Sequence, residues 1–213
     1  MNNPSRQPVI RLISVLGVWG LITLMTACAS FTSDNQATKY HFIRHAEIDS
    51  STPDKFLNEQ GKRRAQALVT NFQGQDISQI YATHTDRTYN TVEPLAKERD
   101  ISIQQVPQQG QVIDGKSVTN RSSGKIAIKP MIEALKQVEQ GSSIFVAANS
   151  GNLFAIMSGI GVPVKGEAAC IDADNCLPCK TKKCFPKKEF NNIWTVTVSS
   201  DGELSLQNSK YGS

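Results

Sequence analysis

The sequence predicts an α/β domain in three layers, a mostly parallel central sheet flanked by helices and closed by a C-terminal hairpin. Two observations carry this reading. Apolar strand-like runs alternate with helical periodicities from Lys39 onward, and continuously apolar strands belong to sheets covered on both faces. Polar clusters also follow three strand ends, where open α/β sheets bind their ligands.

Lys39 to His45 reads as the first strand, around Phe42 and Ile43. Asn58 to Phe72 is helical, because Ala65, Leu68, Val69 and Phe72 share one face. Ile77 to Thr83 is the second strand. Asp86 can cap a helix to about Arg99, interrupted by Pro94. Ile101 to Val106 is the third strand. A helix from Ser123 through Met131, Leu135 and Val138 stops at Gly141. Ser143 to Ala148 is a very apolar strand, and Asn152 to Ser158 is helical. Ile193 to Val198 and Leu204 to Gln207 form the closing hairpin around Asp201-Gly202.

Composition narrows the class. With 39% apolar and 20% charged residues, 14 Gly and 9 Pro in 213, the chain as a whole is neither disordered, collagen-like nor coiled coil. Its formal charge of +4 falls further if Arg6 and Arg11 are removed, which leaves 21 basic against 19 acidic residues. No global case for nucleic-acid binding follows.

Residues 1–27 read as an export signal. Arg6 and Arg11 precede an apolar run from Leu12 to Met25, and small residues follow. The run is shorter than the roughly 20 residues needed to span a bilayer. Leu24-Met25-Thr26-Ala27-Cys28 resembles the lipobox of bacterial lipoproteins. That resemblance implies cleavage before Cys28 and acylation there, a stable anchor when more than one chain is attached. Ala29 after the cysteine implies the outer membrane, so the domain would face the periplasm or the surface. Residues 28–38 are then the lipidated linker, and residues 39–212 the domain.

The three polar clusters are Arg44-His45-Ala46-Glu47, Thr83-His84-Thr85-Asp86-Arg87-Thr88 and Asn149-Ser150-Gly151-Asn152. Two arginines and a histidine make a cationic pocket for a small dianion, since guanidinium matches phosphate oxygens and neutral imidazole can attack phosphorus. An Arg-His pair alone is weak evidence; the order of motifs is specific. Phe42-Ile43-Arg44-His45-Ala46-Glu47, Leu57-Asn58-Glu59-Gln60-Gly61-Lys62-Arg63-Arg64-Ala65, Ile80-Tyr81-Ala82-Thr83 to Thr91, and Ile144-Phe145-Val146-Ala147-Ala148-Asn149-Ser150-Gly151 resemble, in order, the signatures of the histidine phosphatase (phosphoglycerate-mutase-like) superfamily.

That resemblance implies two-step phosphoryl transfer with neither metal nor cofactor. His45 would carry the phosphoryl group, and Arg44 and Arg87 would hold its oxygens, with Asn149 and Ser150 as further phosphate contacts. Glu47 and Asp114 are the candidate acids for the leaving oxygen; a solvated surface role is open for each. The family's third motif normally ends in a second histidine, where this chain has Asn149. Asparagine can donate to a phosphate oxygen but carries no charge. The chain is therefore expected to be either a weakened phosphomonoesterase or a non-catalytic anion-binding module. His84 could compensate for the missing histidine, while His41, on the same strand face as His45, reads as a structural or rim residue.

Cys170, Cys176, Cys179 and Cys184 fall within a Lys-rich insertion at about 165–189. Export favours two disulfides, with three pairings open; zinc, or a redox role for Cys176 and Cys179, are the rivals. The basic loop is either a solvated face or an electrostatic lid that recruits anions. The expected partner is a small phosphorylated substrate or a phosphorylated envelope glycan. A cytosolic mutase or protein-phosphohistidine phosphatase fits the export signal poorly.

Overall fold

In a computed structural model that describes residues 37–164 and 189–212, alternating burial builds the sheet. Along β1 (Thr38–Arg44), Tyr40 and Phe42 pack into one core while Ile43 packs into the other. The first core also takes Tyr81, Val146, Trp194 and Met131; the second takes Leu68, Ile80, Leu95 and Phe145. Two apolar layers on one sheet are what period-2 strands between helices produce.

Six strands run in the order β3-β2-β6-β1-β7-β8. They are β1, β2 (Gln79–Ala82), β3 (Ile103–Gln105), β6 (Ser143–Ala148), β7 (Asn192–Val198) and β8 (Leu204–Lys210). Pairs β2–β3, β2–β6 and β1–β6 are parallel, whereas β1–β7 and β7–β8 are antiparallel. The mostly parallel sheet and its closing hairpin thus have the predicted form, with β7 and β8 longer than the apolar pattern indicated.

Helix α1 (Glu59–Asn71) is capped by Asn58, whose side chain accepts from the Gly61 N–H at 2.9 Å. Helix α2 (Asp86–Arg99) runs through Pro94 without ending there. Buried Val92, Leu95 and Ala96 hold it against the sheet on both sides of the proline, and such packing outweighs one lost backbone bond.

The helix expected from Ser123 to Gly141 is shorter. A 3-10 turn over Gly124–Ala127 leads into α3 (Ile128–Leu135), and the chain then leaves helical geometry six residues before Gly141. Met131 and Leu135 are buried on α3, and Val138 packs on the same core from the turn beyond it, so its apolar spacing marked the core and not the helix end. Helix α4 (Leu153–Gly159) follows β6. A small hairpin not predicted from sequence joins β4 (Val112–Ile113) to β5 (Lys116–Ser117). Asp114 and Gly115 turn it with φ of 50° and 73°, the left-handed pair of a tight hairpin.

Candidate active site

Strands β2, β6 and β1 are neighbours and parallel, so their carboxyl ends open at one edge of the sheet. Ala82 pairs with Ala147, and Arg44 with Ala148. One step further lie Thr83, His45 and Asn149: the His45 N–H donates to Ala148 O at 3.1 Å and the Thr83 N–H to Ala147 O at 3.0 Å. The register thereby delivers all three sequence clusters to one place. A cross-brace fixes them. Thr91 Oγ1 accepts from the Ala46 N–H at 2.9 Å and donates to Arg87 O at 2.7 Å, tying the loop after β1 to the first turn of α2.

His45 is buried, and its Nδ1 lies 2.8 Å from the carbonyl oxygen of Ala46. A carbonyl only accepts, so Nδ1 carries the proton and Nε2 keeps its lone pair. Burial pushes the imidazole down to about 3, with Arg44 and Arg87 acting in the same direction and the Ala46 bond against them. The ring is therefore a neutral, oriented nucleophile at ordinary pH.

Arg44 and Arg87 are both held below the usual arginine value, first by burial, and for Arg44 also by Arg87. Two guanidinium groups that remain charged in a partly desolvated site favour a dianion between them. Arg44 is oriented by Phe190, whose ring centroid lies 3.9 Å from the guanidinium carbon, and by a 3.4 Å bond from Nη1 to Glu189 O. The Phe190 ring also lies 5.9 Å from that of His45.

Arg87 Nε donates to Asn149 Oδ1 at 2.8 Å. Asn149 is 8% exposed, and its Nδ2 is buried without a hydrogen-bond partner among the described residues. Such an orphan donor is costly unless a ligand or water completes it. Three cationic or neutral donors and one nucleophile can together bind a phosphoryl group and accept it.

The remaining candidates are placed differently. Glu47 accepts from Arg64 with both carboxylate oxygens: Nε lies 2.9 and 2.8 Å from them, and Nη2 lies 2.7 Å from Oε1. Arg64 also donates to the carbonyls of Tyr211 and Gly212. Glu47 thus ties the loop after β1 to α1 and the chain end. Asp114 is exposed at the β4–β5 turn. Ser150 is half-buried in the turn after β6.

His84 is fully buried: Nε2 donates to Ser122 O at 3.1 Å, while Nδ1 has no partner among the described residues. Its loop is braced by Gln109 Nε2, which donates to His84 O and to Asp86 Oδ1. His41 lies midway along β1, four residues before His45, with Nδ1 3.0 Å from Thr195 Oγ1. It borders a cleft of about 540 Å³ with Lys39, Phe72 and Ser143, which fits the structural or rim role. Cys28 and the four cysteines of the insertion lie outside the described residues. Among the described residues no three His, Cys, Asp or Glu side chains are grouped to hold a metal.

Sequence reasoning missed Phe190 and Arg64. A single aromatic after a Lys-rich stretch matches no motif. Arg64 could have been separated from Lys62 and Arg63, since it lies at helical spacing from Gly61 and Leu68 on the buried face.

Residues 40–108 match the family model described as the histidine phosphatase superfamily (branch 1). No curated protein matches the chain in sequence. The fold is similar to that of Bacillus stearothermophilus YhfR, at 14% identity and a TM-score of 0.54, covering 79% of this chain and 95% of that one. It is similar to a putative alpha-ribazole-5'-P phosphatase from Escherichia coli, at 14% identity, a TM-score of 0.52 and coverage of 81% and 96%. A mycobacterial glucosyl-3-phosphoglycerate phosphatase complexed with VO3 matches at 13% identity, a TM-score of 0.52 and coverage of 79% and 96%.

Proposed function

From the match of residues 40–108 to the histidine phosphatase superfamily model, we propose that this chain is a phosphomonoesterase acting through a phosphohistidine at His45. The observation that carries the reading is the fixed tautomer of His45 beside two guanidinium groups. His45 Nε2 attacks phosphorus, a nitrogen–phosphorus bond forms, and the bond from phosphorus to the ester oxygen breaks. The leaving oxygen takes a proton from an acid or from water; an aryl oxide needs little such help. Water then attacks the phosphohistidine, releasing inorganic phosphate and restoring His45. Arg44, Arg87 and Asn149 Nδ2 stabilise the equatorial oxygens in both steps.

One observation favours a second reading, an anion-binding module without turnover. Asn149 spends its oxygen on Arg87 and offers only a neutral NH2 group where the family has a histidine. The deciding experiment measures phosphate release from p-nitrophenyl phosphate by the full chain in detergent between about pH 5 and 7. Turnover that His45→Ala abolishes establishes the phosphatase. A silent parent with an active Asn149→His variant establishes the binding module.

The N-terminal sequence supports an exported protein acylated at Cys28, on the periplasmic side of the outer membrane. The substrate would be a small phosphorylated metabolite or a phosphorylated envelope glycan. Mass spectrometry of the mature N-terminus tests the anchor: an unmodified or uncleaved Cys28 refutes it.

A further inference from the structure

We propose that Phe190 is the specificity-determining residue of this site: an aromatic wall against which the alcohol part of a phosphomonoester stacks, selecting flat, apolar leaving groups. The proposal rests on the reading of His45, Arg44 and Arg87 as the phosphate site.

The ring of Phe190 borders both groups that must touch the phosphoryl group. It lies 3.9 Å from the Arg44 guanidinium carbon and 5.9 Å from the His45 ring. In this proposal the alcohol of a bound ester lies along this rim, where Phe190 is half-buried.

The backbone that leads into Phe190 is fastened. The Glu189 carboxylate accepts from Lys210 Nζ at 2.5 Å and from Asn192 Nδ2 at 2.9 Å, which fastens the preceding residue to both strands of the closing hairpin. The Glu189 carbonyl accepts from Arg44 at 3.4 Å. Phe190 offers no hydrogen bond to a polyol. What it offers is dispersion and quadrupole contact, and those reward an aromatic or flat apolar partner.

Phosphonates test this without requiring turnover. The affinities of phenylphosphonate and methylphosphonate are measured calorimetrically for the full chain in detergent and for Phe190→Ala, Phe190→Leu and Phe190→Tyr. The parent should bind the phenyl compound roughly three- to tenfold more tightly. That ratio should fall toward one in Phe190→Ala, shrink in Phe190→Leu and survive in Phe190→Tyr, with the phenyl compound losing at least about threefold more affinity than methylphosphonate in Phe190→Ala; retained methylphosphonate binding reports a folded variant. An equal loss for both phosphonates would make Phe190 only a support for Arg44 and overturn the proposal. An unchanged ratio in Phe190→Ala, or no preference in the parent, also overturns it while leaving the phosphate site intact. If neither phosphonate binds the parent, the phosphate-site reading fails first and the proposal with it.

Discussion

Arg87 and Asn149 are joined by a 2.8 Å hydrogen bond from Nε to Oδ1, and this bond settles which way the asparagine amide faces. A guanidinium only donates, so the amide oxygen must turn to it and Nδ2 must turn away. Nδ2 is buried with no partner among the described residues. Asn149 is thus a positioning contact for Arg87 and a neutral donor.

Removing that donor should slow aryl phosphate hydrolysis by about 10²- to 10³-fold, the usual effect of deleting one transition-state donor. Asn149→Ala tests this by steady-state kinetics. Asn149→His should add a titrating group where the parent has none. The variant's kcat/KM should therefore rise as pH falls through about 6.5, while the parent lacks that limb. Coincident pH profiles would refute the assigned role.

The three buried histidines, His41, His45 and His84, predict acid sensitivity, since burial lowers each of them. Burial lowers His41 to about 4 and His45 to about 3, against about 6.5 in the unfolded chain. Between those values the unfolded state binds more protons, so stability is complete above pH 6.5 and is lost as pH falls toward 4. Each histidine contributes up to roughly 1.4 kcal/mol per pH unit in that window. Urea midpoints at pH 7, 5.5 and 4.5 should fall steadily, and His41→Gln should flatten the decline. Over the same range His45 keeps its nucleophilic lone pair, so its own NMR titration should be absent above pH 5.

The site was legible because its chemistry sits at strand ends and the strands are strongly apolar. Arg44, His45, Arg87 and Asn149 each lie at the end of such a strand or within five residues past it, and parallel neighbours bring those ends together. What escaped has physical reasons. Two-residue strands such as Val112–Ile113 show no alternation, and the Asp114-Gly115 turn alone did not expose the hairpin. Pro94 read as a break because the tertiary packing that overrides it is invisible in a local window. The ion pair of Glu47 with Arg64 spans 17 residues, and nothing local distinguishes a paired carboxylate from a catalytic one.

Gly61 should not tolerate a side chain. A Cβ there would lie 2.0 Å from the carbonyl oxygen of Glu47, a backbone atom that cannot yield as a flexible side chain would. The same oxygen accepts from the Asn58 N–H at 3.1 Å, so the clash falls where the loop after β1 meets the start of α1. Gly61→Ala should cost about 3 kcal/mol by urea denaturation, at the upper end of overpacking effects. A loss below about 1 kcal/mol would show that this junction relaxes.

The two candidate acids separate by opposite responses. Glu47 and Arg64 have side chains only 12% and 10% exposed, and breaking a buried ion pair leaves an uncompensated charge, typically at about 3–5 kcal/mol. Arg64→Met should therefore lower the urea midpoint steeply. Glu47→Gln should lose stability too, while keeping kcat within about tenfold, because a carboxylate occupied on both oxygens is poorly placed to deliver a proton to an ester. Asp114 lies on an exposed turn with positive φ, a conformation asparagine also accepts. Asp114→Asn should leave stability within about 0.5 kcal/mol and kcat within about threefold. If turnover of an alkyl phosphate, whose oxygen needs the proton, slows by about a hundredfold or more in either carboxamide variant, that residue is the acid. With p-nitrophenyl phosphate the same variant should then lose far less, since the aryl oxide departs largely unaided.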